Sequence, residues 1–191
     1  LQESVSLSDG AAREDFLAEA GRVALNHAAA VSGTRAIYLT LDYRALGLNA
    51  PLGISYTYSA DGTVSPAPLT DIYAYSESDP EVVQYYGVKD AGAPLWFERY
   101  HNSELGTYIA SYLHPLYVDG RFVGMVGIDI ESSAISDIAA GIVAYETGFA
   151  SILTKQNTVF YHPYHTPGGV ISDDRDAYPE IAEAVTGGKV A

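Results

Sequence analysis

Apolar and polar positions recur along this chain with two different periods, and each change of period marks an element. Over Asp9 to Val31, Phe16, Ala20, Val23, His27 and Val31 fall on one helical stripe, while Arg13, Glu14, Glu19 and Arg22 fall elsewhere. That spacing predicts a long amphipathic helix capped by Asp9 and ended by Gly33. Ala28, Ala29 and Ala30 keep its last turn slim enough to pack on a sheet or on a second copy of the same helix. Arg35 to Tyr43 is aromatic and branched and predicts a strand, followed by an irregular Gly/Asn/Pro stretch from Gly47 to Gly53. Ile54 to Tyr58 predicts a second strand, turned by Asp61-Gly62. From Ser65 to Pro94 periodicity is weak and Pro, Asp, Ser and Tyr are frequent, which predicts a long, mobile loop of the kind that carries function.

Alternation is clearest from Trp96 to Asp129. Tyr108, Ala110, Tyr112 and His114 fall on one side of an extended segment, and Ile109, Ser111, Leu113 and Pro115 on the other. Asp119-Gly120 makes a two-residue turn, and the return strand, Arg121 to Ile130, places Val123, Met125, Gly127 and Asp129 on one face. Asp129 ends an otherwise apolar strand, where a carboxylate is costly to bury without a partner. Two readings stay open: it caps a helix beginning near Ser132, or it meets a ligand cation at a pocket floor. Ser132 to Tyr145 predicts a helix with Ile135, Ile138, Ala139 and Ile142 on its buried stripe. A hairpin around Lys155-Gln156-Asn157 and a short helix over Ala177 to Val185 complete the order. These elements predict an α+β domain on an antiparallel sheet, with a second unit starting after about residue 145.

Composition narrows the function. The net charge is −14, from 10 basic against 24 acidic residues, with no Lys/Arg cluster, which weighs against nucleic acid and anionic lipid as partners. The 48% hydrophobic content is enough for a core, and the absence of cysteine removes disulfides, thiolate chemistry and Cys-based metal sites. Sixteen tyrosines suit surfaces that hold small polar ligands. No apolar run approaches the roughly 20 residues that cross a bilayer. Starting without Met and stopping just after Gly187-Gly188, the chain reads as a segment of a longer protein.

Enzymatic signatures are missing: there is no nucleophile elbow, phosphate-binding Gly-rich loop or H-E-x-x-H. His162 and His165 have no evident third ligand, and a structural role is the simpler reading. His27 reads as a packed or dimer-face histidine. The acidic groups Asp173-Asp174 and Asp71 with Glu77 or Asp79 read as solvated surface. No catalytic residue, metal or cofactor is expected.

Several ordered motifs resemble the double Cache extracytoplasmic sensor domains of bacterial and archaeal chemoreceptors, sensor histidine kinases and cyclic-di-nucleotide enzymes. They are Trp96-Phe97-Glu98-Arg99-Tyr100-His101-Asn102, Gly106-Thr107-Tyr108-Ile109-Ala110-Ser111, Pro115-Leu116-Tyr117, Asp119-Gly120 and Gly124-Met125-Val126-Gly127-Ile128-Asp129. They correspond to the family's W-x-x-P-Y-x-D, G-x-W-V-I-T, P-V-Y, D-G and G-V-x-G-V-D. Glu146-Thr147-Gly148-Phe149 and His162-Pro163 are similar to a second signature that opens the membrane-proximal module.

The resemblance implies an N-terminal dimerisation and signalling helix (residues 1–33) and a PAS-like membrane-distal ligand-binding module (34–131). A connecting helix (132–145) and part of a membrane-proximal module (146–191) would follow. It implies a non-enzymatic, extracytoplasmic sensor of a membrane-anchored signalling protein, homodimeric through its first helix, whose output domain lies outside this segment. The ligand positions it implies are Asp129, Tyr100, Asn102, Trp96, Tyr85 and Tyr86, with Tyr112 and His114 on the pocket strand. Two departures bear on the ligand. The family's R-x-W-Y is Val82-Val83-Gln84-Tyr85-Tyr86 here, without the arginine that clamps a carboxylate, and the Asp of P-Y-x-D is Asn102. An α-amino acid therefore loses its strongest expected partner. An amine or amino-acid-like molecule still fits through its ammonium, and a small neutral polar molecule, or a small anion on Asn102, Arg99 and backbone N–H groups, fits as well. The alternative is a dimerisation or partner-sensing module that has lost its pocket.

Overall fold

The computed structural model describes residues 9–103, 105–146 and 148–170. The chain divides into two compact units between Glu131 and Ser132. In the first, helix α1 (Gly10–Ala29) is followed by strands β1 (Thr34–Leu41), β2 (Leu52–Tyr58) and β3 (Val64–Pro66). Helix α2 (Val83–Ala91) and strands β4 (Leu95–Asn102), β5 (Thr107–Val118) and β6 (Arg121–Glu131) complete it. The strands form one antiparallel sheet in the order β3-β2-β1-β6-β5-β4.

Asp9 caps α1 as expected, its carboxylate accepting from the Ala11 N–H at 3.0 Å. The buried stripe of the helix differs from the one its apolar spacing suggests. Gly21 and Ala28 are buried, and Ala24 and Leu25 pack with Ile37, Tyr56 and Tyr58, whereas Val23 and Val31 are each 39% exposed and His27 lies outside. Small residues win the contact because the helix lies close to the sheet: a Cβ on Gly21 would sit 3.0 Å from the Tyr56 hydroxyl.

The opposite face of the sheet carries the larger core. Leu113 and Met125 from the sheet meet Tyr43, Ile72, Val82, Tyr85, Tyr86 and Val88. The last five come from the segment expected to be a mobile loop, which instead contains α2 and is pinned by tyrosines. Tyr73 donates to Asp42 Oδ1 at 2.5 Å, Tyr43 to Asp71 Oδ1 at 3.0 Å, and Tyr86 to the Ile72 carbonyl at 3.0 Å. Lys89 Nζ lies 3.5 Å from Asp42 Oδ2. Burial alone would raise the pKa of Asp42, but hydrogen bonds from Tyr73 and the Ala45 N–H, with the charge of Lys89, hold it below the usual carboxylate value. The helix escapes a periodicity search because it is short and its buried tyrosines are amphipathic.

The β5–β6 turn forms at Asp119-Gly120, both with positive φ (49° and 75°), the geometry of the hairpin turn that matches strand twist. The pairing then slips by one: Tyr117 faces Phe122, yet Leu116 faces Gly124. This bulge at Val123 turns the rest of the hairpin over relative to a register counted from the turn.

In the second unit, α3 (Ser132–Ala140) is shorter than the helix expected to reach Tyr145. Tyr145 itself has φ 56°, and a bridge between β7 (Val143–Ala144) and β8 (Gly148–Phe149) replaces the last turn. Of the stripe expected to be buried, Ala139 is buried, but Ile138 and Ile142 are 66% and 53% exposed. The expected hairpin is present as β9 (Ile152–Leu153) and β10 (Val159–Tyr161), with Asn157 at φ 63° in its turn. The helix expected over residues 177–185 lies outside the described residues.

Candidate functional site

The face that α2 covers contains a polar row inside its apolar core. Asp129 on β6 pairs with Ser111 on β5 and with Ala36 on β1. Ser111, fully buried, donates to Asp129 Oδ1 at 2.7 Å, and Tyr38 on β1 donates to the same oxygen at 3.1 Å. Tyr100 on β4 lies 3.0 Å from Ser111 Oγ. Because the one hydroxyl proton of Ser111 goes to the carboxylate, the Tyr100 hydroxyl donates to Ser111. A directed chain thus runs Tyr100 to Ser111 to Asp129, with Tyr38 closing it from the other side. The side chains of Gln84 on α2 and Asn102 on β4 approach the Tyr100 hydroxyl.

Asp129 is 7% exposed, and no ion pair to it exists among the described residues. Its Oδ2 accepts no hydrogen bond from a described residue, yet it is not a sealed, orphaned atom, so solvent still reaches it. Burial raises its pKa, against the opposing hydrogen bonds from Ser111 and Tyr38. Burial, then the negative charge of Asp129, raises Tyr38 and Tyr100 well away from ionisation at neutral pH. A carboxylate held by neutral donors, with one oxygen open and no resident cation, is arranged to receive a positive or donor group.

Gly127 makes the placement of Tyr38 possible. It faces Tyr38 across the β1–β6 ladder, and a Cβ there would lie 2.3 Å from the tyrosine ring. The ring therefore rests on bare backbone, with its hydroxyl delivered to Asp129.

Of the positions singled out from sequence, Asp129 and Tyr100 are joined through Ser111, with Asn102 beside Tyr100; Asn102 Oδ1 also accepts from the Leu105 N–H at 3.0 Å. Tyr85 and Tyr86 lie on the covered face but in the apolar cluster, packed edge to face at 5.2 Å. Burial, then neighbouring Asp42, pushes the Tyr85 hydroxyl up in pKa, which places it toward the Asp42 end of the sheet. Trp96, Tyr112 and His114 point the other way. Trp96 is 58% exposed with its ring 5.0 Å from that of Tyr112, and His114 Nδ1 meets the Pro115 carbonyl at 2.9 Å. Arg99, considered above for an anion, stacks on exposed Tyr108 at 3.8 Å. The bulge at Val123 explains this side-switch: counted from the turn, Asp129 would oppose Ala110 and share a face with Tyr112 and His114. With the slip, it opposes Ser111. Sequence reasoning missed Ser111, Tyr38 and Gln84. Gln84 stands inside the segment matched to R-x-W-Y, so its position was a signal.

Among the described residues no group of three or more His, Asp or Glu is placed to hold a metal, and no helix is long and apolar enough to cross a membrane.

No protein-family model matches the chain, and no curated protein matches it by sequence. Solved structures do. The extracellular domain of a protein described as the histidine kinase mmHK1S-Z2 superposes with a TM-score of 0.60 at 22% identity, over 90% of this chain and 68% of that one. The sensory domain of the Campylobacter jejuni chemoreceptor Tlp3 superposes with a TM-score of 0.60 at 19% identity, over 91% of this chain and 63% of that one. The Tlp3 ligand-binding domain in complex with L-valine gives 0.54 at 17% identity, over 82% and 54%. This chain therefore spans between about half and two thirds of the length of these neighbours, and it has the fold of extracellular sensor domains of histidine kinases and chemoreceptors.

Proposed function

We propose that the chain is the extracytoplasmic ligand-binding part of a membrane-anchored signalling protein, a sensor and not a catalyst. Its first unit takes up a small polar molecule through a cationic or donor group. The observation that carries this reading is the buried Asp129 carboxylate: held by Ser111 and Tyr38, with Oδ2 open and no cation beside it. Such a group costs stability in the empty protein and gains a partner when an ammonium arrives. Tyr100, Asn102 and Gln84 supply further polar contacts on the β4 side, and Tyr38 adds an aromatic surface. The likeness in fold to Tlp3, solved with L-valine bound, supports a small-molecule ligand of this kind. Homodimerisation through α1 belongs to the same reading.

A thermal-shift screen of the 191-residue chain against amines, amino acids, small carboxylates and nucleobases tests it. A true ligand at a hundredfold excess over its dissociation constant stabilises by about 2.7 kcal/mol. The expected result is a hit lost in Asp129→Ala, with the far-UV spectrum unchanged. A flat response across the panel, or hits indifferent to Asp129, rejects the reading in favour of a module that senses a protein partner.

A further inference from the structure

A guanidinium lies on the same face of the sheet at the Glu131 end of β6, in an ion pair with Glu131 and not with Asp129. Arg35 occupies the bulge in β1 between Thr34 and Ala36, and Ala36 is the strand partner of Asp129. Thr34 is turned toward α1, its hydroxyl bonding the Ala28 carbonyl at 3.0 Å. Arg35 reaches the other way, with Nε 3.6 Å from Glu131 Oε2. Glu131 lies two residues after Asp129 and so shares its face.

The Arg35 side chain is only 13% exposed, yet its Nε is buried without a hydrogen bond, and none of its other donors bonds a described residue. Arginine buried this far normally has its planar donors satisfied. What it faces is a cavity of about 330 Å³ lined also by Thr57, Thr63, Ser65 and Leu105. Thr57 pairs with Ala36 on one side and with Ser65 on the other, so a row Ser65, Thr57, Ala36, Asp129 crosses four adjacent strands. Thr57 and Ser65 line the cavity, while Ala36 and Asp129, the other two members of the row, are buried beside it.

We infer that this cavity binds a carboxylate, held by the Arg35 guanidinium and the Thr57 and Ser65 hydroxyls. The guanidinium fork matches a carboxylate in two parallel hydrogen bonds. A monoanion fits and a phosphate does not, because Glu131 already pairs with the single arginine on a chain of net charge −14. The carboxylate is either the far end of the molecule whose cation meets Asp129, in which case the inference rests on the function proposed above, or a free acid.

Calorimetric titration of the 191-residue chain separates these cases, using ω-amino acids from glycine to 5-aminopentanoate, with propionate and propylamine as singly charged controls. Binding of a carboxylate probe that weakens about tenfold or more in Arg35→Gln, and measurably in Thr57→Val, is the expected result. If one molecule spans both groups, Asp129→Asn abolishes the same signal. If the acid is free, propionate binds and Asp129→Asn leaves it unchanged, which sinks the cation reading and keeps this one. Propylamine binding that is lost in Asp129→Asn and indifferent to Arg35→Gln and Thr57→Val overturns the carboxylate site and leaves Asp129 standing. Absence of binding by every probe overturns both. Circular dichroism on each variant confirms folding, and Thr57→Val carries the test should Arg35→Gln not fold.

Discussion

Replacing Gly127 by alanine is the sharpest probe of how the Asp129 site is built. The added methyl would lie 2.3 Å from Tyr38 Cε2, 2.5 Å from Cζ and 2.7 Å from the hydroxyl oxygen. No rotation of a methyl relieves contacts that close, so the ring must leave, and its hydrogen bond to Asp129 Oδ1 leaves with it. Overpacking a well-filled site costs about 1–3 kcal/mol, and a lost hydrogen bond to a charged group costs about 1.5–3 kcal/mol. Together these give roughly 2.5–6 kcal/mol, the upper end assuming no relaxation, or a fall in Tm of roughly 5–24 °C for a chain of this length. Trp96, the single tryptophan, lies on β4 of the same unit, so its fluorescence reports this unit's unfolding. A double-mutant cycle isolates the cause. In a Tyr38→Ala background the methyl meets no ring, and Gly127→Ala is expected to cost less than about 0.5 kcal/mol or to stabilise slightly, as alanine is less costly to order in a strand. Equal losses in both backgrounds would refute the account, since the penalty would then come from the β6 backbone and not from Tyr38.

Three further outcomes are expected. Because burial raises the folded pKa of Asp129 above its unfolded value near 3.9, stability falls as pH rises between the two; Asp129→Asn removes that dependence, so its Tm should gain on wild type as pH climbs through this window. Asp42 has the opposite sign: its depressed folded pKa gives stability that is full above about pH 3.9 and lost as pH falls through the folded value, so Asp42→Asn should cost about 1.5–3 kcal/mol at neutral pH and flatten the acid limb of a Tm profile. Asp9→Ala, which removes the α1 cap, should lower stability by about 1 kcal/mol in urea unfolding, with unchanged m-value.

How far the sequence could be read follows from where its local rules were obeyed. The turn at Asp119-Gly120, the α1 cap at Asp9 and the strands around Ile37 and Ile54 follow from short-range chemistry, and the structure has them. Asp129 stood out because a carboxylate in an apolar strand needs a reason. Its companions were hidden by two bulges. The extra residue at Val123 exchanges Ala110 for Ser111 opposite Asp129, and the irregularity at Arg35 aims that side chain toward Glu131, away from its alternating position. A one-residue slip reverses every side chain beyond it, so Tyr112 and His114 looked right by alternation and face the other surface. Tyr38 was hidden differently, since its role depends on an absent side chain at Gly127 across the sheet. Nothing in local spacing reports a contact between residues that far apart in sequence.

The polar row also bears on how binding could be felt elsewhere in this unit. Tyr100, Ser111, Asp129 and Tyr38 come from β4, β5, β6 and β1, so one ligand contact at Asp129 engages four of the six strands. Tyr38 is the end of that chain nearest the N-terminal helix: the next residue back, Ile37, points through the sheet into the cluster with Ala28 of α1. Capturing a cation at Asp129 would weaken its hold on both the Tyr38 and the Ser111 hydroxyls, since a shared acceptor divides its attraction among its donors, and the longer Tyr38 bond is the one more readily released. A ligand shifts a conformational equilibrium only by its differential affinity for the two states, so the state it favours must differ in the Tyr38 to Asp129 hydrogen bond if this row transmits anything. Tyr38→Phe isolates that link. It keeps the ring over Gly127 and removes only the donor, so ligand binding should survive while the ligand-induced change in amide-exchange protection over α1 disappears. Persistence of that change in Tyr38→Phe would mean that the helix responds through the apolar packing of Ile37 and Tyr58 and not through the polar row.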